Sequence, residues 1–483
     1  MAKGPHISPF LSCISAISLF LSVLNTTALD ITGRKRSLSS NQNSKRDASG
    51  TFGNGSLALA NIADVQYLGN VTLGGKNFEV LIDTDSVDLY VVGDVPGTKD
   101  LGIPLNLSYA DRADIAGNIS TAQLQFDGYS IQDQAYLRVN HTDDSLSGVL
   151  GLGPTKLSDI RNLVNSSAGD PMINRIFQQN SSTPNYITFL LSRNASIEGN
   201  NLLSSDGYYP AQLTIGDIIP GLEGINNAPK LQALEDQKTF GGTWVTLLDA
   251  DGIIGLDGKR INTTTMVQNV TAGTEEQLRV LLDTGTSLPQ LPAHIVDAIY
   301  GKIPGAKFIQ NGGDIRPDLD VYTNFWRIPC NQEVNVSFIF SSQEFPVAPL
   351  DLSSEVGMDK DSVDICIATF QQVDPSVAED PGSGAHDMVL GMAFLRNVYA
   401  LFNYGDFVDN STSRTSAPYI QFLTISDKAK IHQDFVNARL SGGNSTSSGS
   451  NSGHGSSVTA ISEILALGLS ALMMVFGAAG AAL

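Results

Sequence analysis

Hydrophobic and polar residues alternate in short runs from about Tyr67 onward, and Gly, Asn and Asp residues separate these runs. A period of two is typical of strands that bury one face, and Gly-Gly or Asp-Gly pairs between two such runs predict hairpins. Three hairpin turns are expected, at Gly74-Gly75, Asp127-Gly128 and Asp257-Gly258. Residues 292–303 have the clearest helical signal, because they begin with Pro and end near Gly301. The pattern predicts a mostly β chain with a few short helices.

Two motifs occur once in each half of the chain and in the same order. The segment "VLIDT" at 80–84 is repeated as "VLLDT" at 280–284. Each copy is followed by an apolar pair before Gly, in "SGVLGLGP" at 147–154 and in "HDMVLGMAFL" at 386–395. Two ordered motif pairs indicate an internal duplication. We expect two similar β lobes, related by a pseudo-two-fold axis, with a cleft between them.

Both ends of the chain have the composition of targeting segments. Residues 1–28 carry one early cation, an apolar run and small residues, which predicts a secretory signal peptide. Residues 29–46 end in Lys-Arg and are interpreted as a short propeptide. A Ser/Gly-rich linker at 433–457 precedes an uncharged tail at 458–483. This order predicts a GPI-attachment signal with Asn451 as the attachment residue, and a single tail-anchoring transmembrane helix is the alternative.

Sequons and cysteines agree with the secretory route and with an expected location at the plasma membrane or cell wall. Thirteen N-x-Ser/Thr sequons lie between Asn54 and Asn444. Of the three cysteines, Cys13 is lost with the signal peptide, which leaves Cys330 and Cys366 as an even pair in an oxidising compartment. One disulfide is therefore expected. Two thiols without neighbouring histidines make a poor zinc site, so we expect no metal and no cofactor.

The charge of the chain excludes some partners. Residues 47–451 contain 23 Lys and Arg against 47 Asp and Glu, a net charge of −24. Nucleic acids and anionic lipid surfaces both attract Lys and Arg, so neither is an expected partner. The same acidic balance suits an acidic working environment, and it is equally compatible with solubility alone.

These motifs together resemble the pepsin-like aspartic protease family over about residues 60–430. The first Asp-Thr segment is similar to the family motif D-T-G-S-S-x-L-W, and the second to D-T-G-T-S. "VLGMAFLRNVYALFN" at 389–403 is similar to the segment near the end of the family domain, and the pair Cys330–Cys366 matches a disulfide common in its C-terminal lobe. The tail and the dibasic site resemble yapsin-type surface proteases of fungi. The resemblance implies a bilobal β fold with lobes at 47–225 and 226–432, a monomer, and polypeptide substrates.

The resemblance also implies a role for each motif residue. Asp83 and Asp283 would be the catalytic pair, which shares one proton and activates a water molecule. Thr84 and Thr284 would form crossed hydrogen bonds that fix the two turns.

Further residues carry over around this pair. Ser86 and Thr286 would hydrogen-bond the outer oxygens of the two carboxylates. Tyr109 matches the tyrosine of the flap that closes over substrate, and Tyr90 occupies the place of the tryptophan that usually bonds it.

One position departs from the family pattern next to the catalytic pair. The second motif has Gly285, which lets the backbone approach the carboxylates, whereas the first motif has Asp85. If the Asp85 side chain enters the cleft, its charge raises the pKa values of the pair and disturbs the shared proton. If it turns outward, catalysis survives. Two hypotheses follow: an acid endopeptidase, or a catalytically impaired pseudoprotease that binds peptides or wall components.

Overall fold

The computed structural model describes eleven ranges of the chain, which are 57–62, 64–107, 115–140, 146–154, 158–179, 184–193, 211–234, 243–319, 323–373, 385–405 and 416–441. The predicted signal peptide, propeptide, tail, Tyr109 and Asn451 lie outside them, so these assignments stay predictions. In the ranges that are described, no helix is both long and apolar enough to span a bilayer.

In the described ranges, the first half of the chain forms ten strands and two short α-helices. The strands are β1 (Leu57–Ile62), β2 (Gln66–Leu73), β3 (Lys76–Asp83), β4 (Leu89–Val92), β5 (Lys99–Leu107), β6 (Ile115–Phe126), β7 (Tyr129–Val139), β8 (Gly148–Gly151), β9 (Tyr186–Leu190) and β10 (Ala211–Ile215). The helices are α1 (Asp159–Val164) and α2 (Met172–Gln179).

The described part of the second half adds sixteen strands and four α-helices. Those before the disulfide region are β11 (Leu231–Gln232), β12 (Val245–Leu247), β13 (Ile253–Ile254), β14 (Arg260–Ile261), β15 (Arg279–Leu282), β16 (Gln290–Leu291), α3 (Ala293–Tyr300), β17 (Lys307–Asn311) and β18 (Thr323–Ile328). The remainder are β19 (Val336–Phe340), β20 (Gln343–Val347), α4 (Pro349–Leu352), β21 (Ser353–Met358), β22 (Asp364–Ala368), β23 (Gln371–Gln372), β24 (Met388–Leu390), α5 (Met392–Leu395), β25 (Val398–Asn403), β26 (Tyr419–Thr424) and α6 (Lys428–Phe435).

All three hairpins are present in the expected places, with paired residues Leu73↔Lys76, Phe126↔Tyr129 and Ile253↔Ile261. Both residues of the first turn have positive φ, 58° at Gly74 and 83° at Gly75, which glycine adopts without a steric penalty. A Cβ atom on Gly74 would lie 1.9 Å from the carbonyl oxygen of Pro96, so this turn requires glycine. The predicted helix is α3, which begins after Pro292 and ends at Gly301.

Strand pairing repeats between the two halves of the chain. In the first half β3 pairs in parallel with β8, while β4 lies antiparallel to β8 and parallel to β7. In the second half β15 pairs in parallel with β24, while β16 lies antiparallel to β24 and parallel to β23. This equivalence confirms the predicted mostly β, bilobal architecture built from two similar units.

A central sheet joins the two halves. Its strand order is β11-β26-β25-β9-β10-β1, and β9 pairs antiparallel with β25 along five residues. Aromatic rings pack edge to face at this junction: the Trp244 ring centroid lies 5.1 Å from that of Phe402 and 5.0 Å from that of Tyr404. Because all three side chains are fully buried, the halves share one hydrophobic core. The turns that follow β3 and β15 are consequently held in a fixed relation.

A disulfide joins Cys330 to Cys366, as predicted, with 5.1 Å between their Cα atoms. It links the segment after β18 to strand β22, whose residue Cys366 is fully buried. The bond closes a loop of 36 residues in sequence. It therefore restricts the unfolded chain over the whole of the hairpin region between these strands.

Removal of this disulfide is expected to destabilise the protein. For the double variant Cys330→Ala/Cys366→Ala we expect the free energy of unfolding to fall by about 4 kcal/mol, the loop-closure contribution of a ring of this size. Denaturant unfolding followed by circular dichroism measures the change. The wild-type protein unfolded under reducing conditions serves as the control and should unfold at the same denaturant concentration as the variant. Equal midpoints for the variant and the oxidised wild-type protein would contradict the expectation.

Candidate active site

The two Asp-Thr turns have the same backbone support. After β3, the Leu152 N–H donates to the Asp83 carbonyl at 2.7 Å, and the Gly153 N–H donates to the Ser86 carbonyl at 2.7 Å. After β15, the Met392 N–H donates to the Thr286 carbonyl at 2.8 Å. Each turn is thus held by the chain that leaves the parallel neighbour, β8 or β24.

Threonine hydrogen bonds cross between the turns. The Thr84 N–H donates to Thr284 Oγ1 at 3.1 Å, and the Thr284 N–H donates to Thr84 Oγ1 at 3.0 Å. Each hydroxyl also donates to the opposite strand, to the Leu282 carbonyl at 3.0 Å and the Ile82 carbonyl at 2.8 Å. Both threonines are buried, so these four bonds are shielded from water. They hold the turns of the two halves against each other.

Each aspartate accepts hydrogen bonds from its own turn. The Asp83 carboxylate accepts from the Asp85 N–H at 2.9 Å, the Ser86 N–H at 3.2 Å and Ser86 Oγ at 2.8 Å. The Asp283 carboxylate accepts from the Gly285 N–H at 2.6 Å and from Thr286 Oγ1 at 2.5 Å. Both aspartates are fully buried. The structure therefore brings Ser86 and Thr286 to the outer oxygens, as the resemblance implies.

The two carboxylates lie next to each other across Gly285. A Cβ atom added to this glycine would lie 2.8 Å from Asp83 Cγ, too close for a real side chain, and in tight contact at 3.1 Å with Asp283 Oδ1. Burial raises the pKa of Asp283 well above its usual value, and the negative charges of Asp83 and Asp85 raise it further. A proton is consequently retained between adjacent carboxyl groups, which is the condition for one to act as acid while the other acts as base.

Asp85 adds a third carboxyl group to this pair. The residue is half-buried, and its pKa is raised well above the usual range by burial and by the charge of Asp83. No residue in the ranges given above donates a hydrogen bond to its carboxylate or forms an ion pair with it. Its charge also acts on Asp283. The side chain is therefore electrostatically part of the site.

Tyr90 lies on β4, the strand that follows the first turn in the chain. The residue is fully buried, and it pairs with Leu137 of β7 and Val149 of β8. Strands β5 and β6 form a hairpin that is paired up to Leu107↔Ile115, the last pair before the segment that holds Tyr109. The contact between the two tyrosines stays a prediction.

Asp88 is a residue of the first motif for which the sequence indicated no role. Its carboxylate accepts hydrogen bonds from Ser158 Oγ at 2.5 Å and from the N–H groups of Asp159 at 2.9 Å and Ile160 at 3.2 Å. It therefore joins the end of the motif to the beginning of α1. Burial raises its pKa to about 6 although the hydrogen bonds lower it. The "SDI" at 158–160 is a helix-start signal, but nothing in the sequence links it to position 88.

In the described part of the chain, no group of three or more His, Cys, Asp or Glu side chains is arranged to hold a metal ion. The polar groups of the site are carboxyls, hydroxyls and backbone N–H groups. Such a set can bind and move protons, and it can hydrogen-bond a carbonyl oxygen.

Known proteins match this chain along both halves. Residues 234–408 match the eukaryotic aspartyl protease family model, a range that includes the second Asp-Thr turn. Major aspartyl peptidase 1 of Cryptococcus neoformans is 23% identical over 398 residues, which cover 77% of this chain and 72% of that protein. A probable aspartic-type endopeptidase of Aspergillus fumigatus is 23% identical over 446 residues, 82% of this chain and 91% of the relative. The chain is thus similar to fungal aspartic peptidases over most of its length.

Proposed function

We propose that this chain is an aspartic endopeptidase, which hydrolyses peptide bonds of polypeptides at acid pH with a water molecule activated between Asp83 and Asp283. The observation that carries the proposal is the pair of buried, adjacent carboxylates in two equivalent turns, fixed by crossed Thr84 and Thr284 hydrogen bonds. The similarity to fungal aspartic peptidases supports it.

The proposed reaction uses one ionised and one protonated carboxyl group. The ionised group takes a proton from water, whose oxygen attacks the peptide carbonyl carbon, while the protonated group hydrogen-bonds the carbonyl oxygen. The tetrahedral intermediate collapses when a carboxyl proton passes to the amide nitrogen and the C–N bond breaks. Ser86 and Thr286 hold the outer oxygens, so the inner oxygens stay directed at the water and the substrate. No cofactor takes part in these steps.

The proposed setting is the fungal cell surface, for a protein of the yapsin type. The apolar segment at 1–28, the Lys-Arg at 45–46 and the spacer with its apolar tail at 440–483 support secretion, processing and a GPI anchor at Asn451. The thirteen sequons support a glycoprotein. In this proposal the catalytic part, 47–432, works as a monomer on extracellular polypeptides.

Proteolysis by the purified chain tests the function. We expect cleavage of an unfolded protein substrate at about pH 3–5, where a coupled carboxyl pair holds a single proton. A statine-containing peptide, which mimics the tetrahedral intermediate, should abolish the cleavage, and a metal chelator should leave it unchanged. A well-folded preparation that cleaves nothing between about pH 2 and 7 would refute the proposal, since most of the range in which such a pair holds a single proton lies within these limits.

The position of Asp85 favours one second candidate, a pseudoprotease that binds peptides in the cleft without cutting them. The charge of Asp85 acts on Asp83 and Asp283, and an additional charge in this place disturbs the shared proton. The variant Asp85→Gly separates the two candidates. Robust cleavage only after this substitution would identify the native site as blocked, whereas cleavage by the native protein supports the endopeptidase.

A further inference from the structure

We propose that Asp85 is a third titrating carboxyl group of the catalytic site, whose negative charge extends the pH range of activity of the Asp83–Asp283 pair toward neutral pH. The proposal rests on the endopeptidase function given above and concerns its regulation by pH. It treats Asp85 as a residue that acts through the pair, without contact with substrate.

The duplicated geometry locates the Asp85 side chain. Gly285 is its equivalent in the second turn, and both residues donate their N–H to the aspartate two positions earlier, at 2.9 and 2.6 Å. A Cβ atom on Gly285 would be 2.8 Å from Cγ of the opposite aspartate, Asp83. By the pseudo-two-fold relation, Asp85 occupies the position of the first turn that faces the opposite aspartate, Asp283. Asp85 thus lies beside both members of the pair, bonded to Asp83 through its N–H.

Few charged groups face Asp85. The strands that end at the site contribute Asp83 from β3 and Asp283 next to β15, both negative when ionised. From the chain after β8, the backbone of Gly153 packs against Asp85, since a Cβ atom added to Gly153 would lie 2.9 Å from the Asp85 carbonyl oxygen. Asp88, three residues further, is directed away to the start of α1. Within the described ranges no Lys, Arg or His neutralises this group.

Like charges at this separation make the protonation of each group depend on the others. When Asp85 is ionised, it stabilises every state in which the pair carries protons, because those states reduce the repulsion. Because the pKa of Asp85 is itself raised, its charge is present mainly on the alkaline side, where the pair then gives up its last proton at higher pH than it would beside a glycine. The alkaline limb of a bell-shaped pH profile should therefore lie at higher pH, while the acid limb, where Asp85 is protonated, keeps its place and the chemistry at Asp83 and Asp283 is unchanged.

The test compares the pH profile of kcat/KM for the wild-type protein with those of Asp85→Asn and Asp85→Gly. We expect the alkaline limb to move to lower pH in both variants and the acid limb to stay in place. At the pH where the wild-type protein has lost half its activity on the alkaline side, each variant should retain about a tenth of its own maximum, a shift that a nearby unit charge readily produces. Asp94→Asn is the matched control, because it removes an equal charge from an exposed loop position. Its profile should coincide with that of the wild-type protein.

An alkaline limb that stays in place, or that moves to higher pH, would overturn the proposal. A second measurement separates it from the proposed function. In protein labelled with carbon-13 at the Asp carboxyl groups, the NMR titration of Asp283, assigned by its loss in Asp283→Asn, should have a lower midpoint in Asp85→Asn. If no form cleaves peptides but this midpoint falls, the electrostatic role stands and only the endopeptidase function is wrong. An unchanged midpoint refutes the role of Asp85 whether or not the protein cleaves peptides.

Discussion

The variants Asp283→Asn and Asp83→Asn are each expected to lose at least about 10³-fold in kcat/KM, the scale on which general acid–base groups contribute. An asparagine cannot take a proton from water, and one remaining carboxyl group cannot act as base and acid in the same step. The substitution keeps the size of the side chain. In Asp283→Asn the amide oxygen of the new side chain can still accept the Gly285 N–H, so the turn should keep its shape.

A spectroscopic control shows that such a variant is folded at the site. The Trp244 indole N–H donates to the Leu152 carbonyl at 3.3 Å, and the Leu152 N–H donates to the Asp83 carbonyl at 2.7 Å. In a Trp326→Phe background, which removes the other tryptophan of the chain, fluorescence from Trp244 therefore reports on the support of the first turn. Unchanged emission with lost cleavage assigns the loss to chemistry. If either variant keeps more than about a tenth of the activity, far above what loss of an acid–base group permits, the proposed mechanism is wrong.

Local sequence was sufficient to predict the parts of the site that lie within one turn. Asp83, Thr84 and Ser86 are adjacent in the chain, and their partners occur in an identical order two hundred residues later. The hairpins followed from alternation and from the turn residues, since both signals span fewer than ten positions. The strands β13, β14 and β16 have only two residues each, too few for a periodic signal, so their places depend on their neighbours.

Contacts between distant residues that belong to no recognisable motif were not predictable from the sequence. The sequence left two orientations open for the Asp85 side chain, and only the packing of both turns makes it a neighbour of Asp283. The cap that Asp88 provides for α1 joins residues 70 and more positions apart. The pairing of β9 with β25 joins the halves across about two hundred residues, and neither strand carries a mark of its partner.

A buried ion cluster between the halves is another such contact. Asp351 accepts a hydrogen bond from the Arg193 guanidinium, one from Arg396 Nε at 2.8 Å and one from Asn397 Nδ2 at 2.7 Å. Arg396 also donates to the Asp64 carbonyl at 2.8 Å. Arg193 and Asp64 belong to the first half of the chain, and the other members to the second. The cluster thus fixes the two halves at a second place besides the threonine bonds.

Replacement of Asp351 by Asn is expected to lower the free energy of unfolding by about 3–5 kcal/mol, because it removes the charge of the buried carboxylate that both guanidinium groups hydrogen-bond. Denaturant unfolding at neutral pH measures this loss. The exposed pair between Lys428 and Glu344 is the control, since an ion pair in water contributes little and Glu344→Gln should change the stability far less. Equal effects of the two substitutions would contradict the role of the buried cluster.

The pH dependence of the same variant connects this cluster to activity in acid. Burial acts to raise the pKa of Asp351, but the charges and hydrogen bonds of Arg193 and Arg396 hold it below its usual value. A carboxyl group with a depressed pKa in the folded state gives its full stabilisation above the unfolded pKa of about 3.9 and loses it as the pH falls through the folded pKa. The stability difference between the wild-type protein and Asp351→Asn should therefore stay constant from neutral pH down to about pH 4 and shrink only below it. A difference that disappears already near pH 6 would show that the cluster does not hold the halves together where the catalytic pair is proposed to work.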